Sequence, residues 1–88
     1  MIAKDKTSHL QAQLKFLIMS RIMQVAKEWH RVNKEKYHSS KEIIDEVKSR
    51  LRRITSQIEN NKIIKEIASL VEREYLETQN NMYRYLPM

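Results

Sequence analysis

The groups in this chain that could do chemistry are mostly cations. Seventeen Lys and Arg stand against 11 Asp and Glu, with three His and no Cys, giving a formal charge of +6 over 88 residues. The lack of cysteine removes thiolate catalysis, disulfides and thiolate metal sites. His9, His30 and His38 have no carboxylate at zinc-ligand spacing, so neither a metal nor another cofactor is expected. Ser39 stands three residues before Glu42, the spacing of a helix-capping box, and is better used there than as a nucleophile. Spacing offers no Ser-His-Asp set and no paired carboxylates, so the chain reads as a non-enzyme. The remaining polar candidates are two basic groups: Arg31, Lys34 and Lys36, then Arg50, Arg52 and Arg53. Both suit acidic partners or phosphate.

Helices must position these groups. The chain has no Gly and one Pro, at position 87, which excludes a glycine-rich phosphate loop and argues against a turn-rich sheet fold. At 88 residues and 41% hydrophobic it can build one small domain. Its longest apolar run, Phe16 to Met19, is far below the roughly 20 residues of a membrane span. Met1 to Lys6 lacks the apolar stretch of a secretory signal, so a nuclear and cytoplasmic setting away from membranes is expected.

Leu10, Leu14, Leu17, Ile18, Ile22, Val25, Trp29 and Val32 recur at helical spacing and predict a first helix of about 25 residues. Thr7 or Ser8 is its expected cap, and Asn33 its expected end. Met19, Met23 and Ala26 lie off this stripe, which widens the apolar arc and leaves part of it for a partner. Methionines at this spacing more often fill a core, and Trp29 likewise fits a core anchor better than a binding hot spot. A second helix starts from the Ser39 cap and buries Ile43, Ile44, Val47, Leu51 and Ile54. Thr55 to Asn60 forms the connecting turn. Asn60 or Asn61 is expected to cap a third helix whose inner face is Ile63, Ile64, Ile67, Leu70 and Val71, running to about Glu74.

The period then becomes alternating over Tyr75 to Thr78 and Met82 to Leu86, around Gln79-Asn80-Asn81. Asn tolerates the positive φ that a tight hairpin turn demands. Tyr83 and Tyr85 share one sheet face and should pack the hairpin onto the helices. The expected fold is α+β and mostly helical, a winged helix of three helices, the first unusually long, with a C-terminal β-hairpin wing. Residues 1–28 form the leading helix region and 29–88 the core.

The last third carries a more specific pattern. Ile67-x-x-Leu70-Val71-x-Arg73-x-Tyr75-Leu76-Glu77, followed by Met82-Tyr83-Arg84-Tyr85-Leu86, resembles the end of the cullin family's carboxy-terminal winged-helix domain. That family ends on I-x-x-L-I-x-R-x-Y-L-E, a short wing and Y-x-Y with an aliphatic residue. Pro87-Met88 departs from its usual small terminal residue, and the wing here is shorter. Ile43 to Val47 is similar to its second helix, so the resemblance covers about residues 29 to 86.

Cullins also carry an R-I-M-K segment whose lysine accepts a ubiquitin-like modifier. Arg31-Val32-Asn33-Lys34 is similar to it and makes Lys34 the implied acceptor. A competing register, Arg21-Ile22-Met23-Gln24, would put Gln24 there and abolish the acceptor, but needs an insertion of about ten residues. The resemblance implies a non-catalytic scaffold domain of a cullin-RING ubiquitin ligase, switched by neddylation. Its implied partners are the RING-box subunit with its conjugating enzyme, the covalently attached modifier, a neddylation-promoting factor and the cullin exchange factor. Trp29, Arg31 and Lys36 would form the partner surface around Lys34.

The alternative is a DNA-binding winged helix. Residues 1–38 hold eight Lys and Arg against three Asp and Glu, whereas residues 59–88 hold four against five. The third helix and wing, which would meet the groove, are therefore not basic, and Glu66 and Glu72 would repel phosphate. Binding through the basic first and second helices, with Arg50, Arg52 and Arg53, is the form left to this alternative.

Overall fold

The computed structural model describes the backbone of residues 2–51 and 58–87 and the side chains of 12–51 and 58–87. Among the described residues the architecture is α+β and mostly helical: three helices and a small antiparallel sheet of three strands. In chain order these are α1 (Ile2–Val32), β1 (His38–Ser39), α2 (Ser40–Arg50), α3 (Asn60–Glu72), β2 (Leu76–Gln79) and β3 (Met82–Tyr85). Arg52, Arg53, Ile54 and the first half of the expected Thr55–Asn60 turn lie outside the described residues.

α1 spans 31 residues, longer than expected, and runs through Thr7 and Ser8 instead of starting at them. The core draws on α1 through Ile18, Met19, Ile22, Val25 and Ala26, on α2 through Ile43, Ile44 and Val47 with Leu51 after it, and on α3 through Ile63, Ile67 and Leu70. Met19 and Ala26 are therefore interior and not spare surface. A helix packed against α2, α3 and the hairpin together must be apolar on more than one side. Among the described residues, two of the stripe are exposed: Val32 is 87% exposed at the end of α1, and Ile64 is 43% exposed on α3.

The Ser39 capping box is present. The Glu42 N–H donates to Ser39 Oγ at 3.2 Å, and Glu42 Oε1 accepts from the Ser39 N–H at 3.5 Å. At α3 the expected cap is displaced by one residue: Glu59 is the N-cap, without a side-chain hydrogen bond, and Asn60 is already helical.

α3 ends in a Schellman motif. The Tyr75 N–H donates to the Leu70 carbonyl and the Glu74 N–H to the Val71 carbonyl, both at 3.0 Å, with Glu74 at φ 65°. Glycine serves this position best, because a Cβ in the left-handed region costs about 1 kcal/mol. Glu74 is exposed and brings no packing in return. Glu74→Gly is expected to raise stability by about 1 kcal/mol, read as an increased denaturant midpoint at unchanged slope.

The hairpin turns on Asn80 and Asn81 at φ 54° and 62°, the double positive φ that the Asn pair was expected to supply. β2 and β3 pair from Leu76–Tyr85 to Gln79–Met82. The sheet exceeds the expected hairpin by one strand: β1 lies on the other side of β3, His38 opposite Tyr83 and Ser39 opposite Met82. The order is β1-β3-β2, and Tyr83 and Tyr85 pack against the core.

Candidate functional site

Lys34 sits at a tip. α1 ends when the Asn33 N–H donates to the Trp29 carbonyl at 2.9 Å, and the chain then reverses in a turn over 33–36. The Asn33 carbonyl accepts from the Lys36 N–H at 3.4 Å, and Asn33 Oδ1 accepts from the Glu35 N–H at 3.1 Å. An Asx contact inside a turn of this kind fixes its two central residues, here Lys34 and Glu35. Both side chains are exposed, as are those of Arg31 and Lys36.

A second tie reaches this turn from the sheet. Arg84, on β3, donates from Nη1 to the Lys34 carbonyl at 3.3 Å and to the Glu35 carbonyl at 3.2 Å. The same guanidinium lies 4.4 Å from the Tyr37 ring centroid, and its Nε pairs with Glu77 on β2. The hydrogen bond that Arg84 donates to Glu77 pushes the Arg84 pKa upward from its ordinary value. The Lys34 backbone is thus held from both sides while its amine faces water.

Trp29 supports the turn from below. Its ring stacks on His38 with centroids 4.0 Å apart and planes 25° apart. Trp29, Ala26, Ile43, Leu76 and Tyr83 surround a small enclosed space beside His38, with Lys36 and Arg84 at its edge. Trp29 is half-buried against the core, the anchor role weighed above. His38 is buried, and its Nδ1 lies 2.8 Å from Glu42 Oε2.

That His38 hydrogen bond is the leading cause that lowers the Glu42 pKa, with the Ser39 N–H adding to it. A depressed carboxylate pKa contributes stability that is present above the unfolded-state pKa and lost as pH falls through the folded value. Glu42→Gln should therefore flatten the fall in melting temperature below about pH 4 and change the slope little above pH 6. Thermal unfolding from pH 3 to 7 measures this. Because Glu42 is exposed, the expected difference is a few degrees at most.

The other basic group is differently placed. Arg50 pairs with Glu28 on α1 and with Glu46 one turn earlier on α2, the latter at 3.1 Å. The hydrogen bond that Arg50 donates to Glu28 is the main cause that raises the Arg50 pKa. Two carboxylates thus engage the guanidinium that a phosphate would need. Gln24 lies exposed in the middle of α1, nearly three turns before Lys34.

Lys34 and Trp29 stand where the sequence places them, at the end of α1 and on its stripe, whereas Arg84, Glu77 and Tyr37, which come together around the turn through pairing between distant segments, were not singled out as site residues by sequence. Among the described residues, no three His, Cys, Asp or Glu come together as a metal would need, and no helix is long and apolar enough to cross a membrane. No protein-family model, curated protein or solved structure matches the chain.

Proposed function

We propose that this chain is a carboxy-terminal winged-helix domain of the cullin type, with Lys34 as the acceptor of a ubiquitin-like modifier that switches a RING ubiquitin ligase. The observation that carries this reading is the Lys34 turn: an exposed amine at the tip of a reversal whose backbone is clamped by Asn33 and Arg84. An acceptor needs to be presented, not to be catalytic, since the activated thioester is brought by a conjugating enzyme. A fixed backbone with a free side chain reduces the ordering cost of presentation. Helix order, the C-terminal hairpin and the β1-β3-β2 sheet support a winged-helix layout. The residues behind the resemblance have structural uses in this chain: Ile67, Leu70 and Leu76 are buried, and Glu77 pairs with Arg84.

In this reading Trp29 shapes the surface from beneath, while Arg31 and Lys36 face partners. Modification at Lys34 would shift the ligase between arrangements by adding a bulky domain at one tip, with no new active site in this chain.

The test is a reconstituted neddylation reaction with a cullin RING partner and its conjugating enzymes, the linked lysine being mapped by mass spectrometry beside Lys34→Arg. Linkage at Lys34, abolished by the substitution, is the expected result. Absence of linkage, with the same enzymes active on another cullin, overturns the acceptor role and makes duplex DNA binding by the basic helices the next measurement.

A further inference from the structure

α1 carries a second face, with Phe16 and Met23 on it, that the core does not finish covering. Phe16, Ser20, Met23 and Lys27 follow one another at three- and four-residue steps, with Met19 beside them. They form one wall of an open groove of about 510 Å3, whose other wall is Tyr75, Tyr85 and Leu86 and whose floor includes Leu70. Met19 is buried there, Met23 is half-buried, and Phe16 is 66% exposed. This groove lies apart from the Lys34 turn and from the residues that clamp it.

Three features define what fits. From Phe16 to Lys27 the wall runs about 16 Å along the axis of α1, the length of three helical turns. Its lining is aromatic and thioether, a surface that adapts to aliphatic side chains presented by a helix. Its charge is one-sided: among the described residues, Lys27 is the only charged one lining it, its ammonium 5.7 Å from the Tyr85 ring centroid, and Arg31 follows one turn later on α1. A second copy of a chain of charge +6 would bring like charge to a basic rim. A partner that is apolar on one face and acidic at the end beside Lys27 meets no such repulsion.

The geometry points to this groove as the docking site for an acidic amphipathic helix of a partner protein. Aliphatic residues at i, i+3 or i+4, and i+7 fill the space between Phe16, Met23 and Tyr85. A carboxylate in the last turn of that helix pairs with Lys27. This inference does not depend on the acceptor role of Lys34.

The probe is a 15-residue helical peptide with leucines at those spacings and glutamates in its last turn, beside a version with lysines replacing the glutamates. Both are titrated into the full chain carrying 13C-methyl methionine. The expected result is that the Met19 and Met23 methyl signals move and saturate while Met82, which does not line the groove, stays still. The glutamate peptide should bind roughly fivefold more tightly than the lysine peptide, and Lys27→Glu should reverse that order. Met23→Lys should abolish the Met19 shift, and Phe16→Ser, at a residue 66% exposed, should weaken binding at least fivefold while leaving the circular dichroism and melting curve in place.

Shifts at neither methionine, equal affinity for the two peptides, or persistence of binding in Met23→Lys would overturn the proposal. So would a concentration-dependent dimer, seen by sedimentation and dissolved by Met23→Lys, since the occupant would then be a second copy.

Discussion

Ile22→Ala is expected to remove about 4 kcal/mol of folding stability, while Val32→Ala on the same predicted stripe changes it by less than about 0.5 kcal/mol. Ile22 is fully buried near the middle of α1, where that helix meets α2 and α3. Truncation there forfeits both the transfer free energy of the removed carbons and the packing of the walls that cannot close on the hole. Val32 is 87% exposed at the helix end and has little to lose. A domain of this size holds roughly 5–15 kcal/mol in total, so the Ile22 variant should show a much lower denaturant midpoint and a raised unfolded population at room temperature. Equilibrium urea unfolding of the two variants beside the parent measures the contrast. Similar losses at both sites would mean that α1 packs along its whole stripe and that its end is not free.

Trp29→Ala comes next, with an expected cost of about 3 kcal/mol, at the lower end for a large aromatic because the ring is half-buried. The loss should not be confined to global stability. Trp29 covers one face of His38, which pairs with Tyr83 across β1 and β3, and its carbonyl anchors the Asn33 end of the turn. Removing the ring opens the strand beside the turn. Amide exchange at His38 and across residues 33–37 should therefore accelerate beyond what the fall in global stability accounts for. Trp29→Phe, which keeps a ring over His38, should recover more than half of the loss. Were Trp29 only a surface contact for partners, both variants would unfold like the parent.

The parts of the fold visible in sequence are those determined by local chemistry. Ser39 and Glu42 specify the start of α2 within four residues, and Asn80-Asn81 specifies the hairpin because few residue pairs accept two positive φ values in succession. Ile63, Ile67 and Leu70 mark the inner face of α3 by spacing alone. What could not be seen depends on distant partners. A strand of two residues shows no alternation, and His38-Ser39 is a strand only because β3 returns to it. Asn60 was the better cap by type, yet the helix enters through Glu59, whose carbonyl accepts from the Lys62 N–H.

The candidate site divides in the same way. Lys34 and Trp29 could be named from order along the chain, since one follows the end of a helical pattern and the other lies on its stripe. Arg84 could not, because its hold on the Lys34 and Glu35 carbonyls joins positions 50 and 49 residues apart. Likewise, Met19 and Ala26 looked surplus while α1 was considered against one neighbour, and became interior once three elements packed around it.

The position of β3 also sets a schedule for synthesis. It is the central strand of the sheet, yet it follows both of its partners in the chain. As the polypeptide leaves the ribosome, β1 emerges long before its partner, while α1 and α2 can already meet. Both strands gain their hydrogen bonds only once Met82–Tyr85 is in place, so a chain cut short before that segment would be left with two open strand edges.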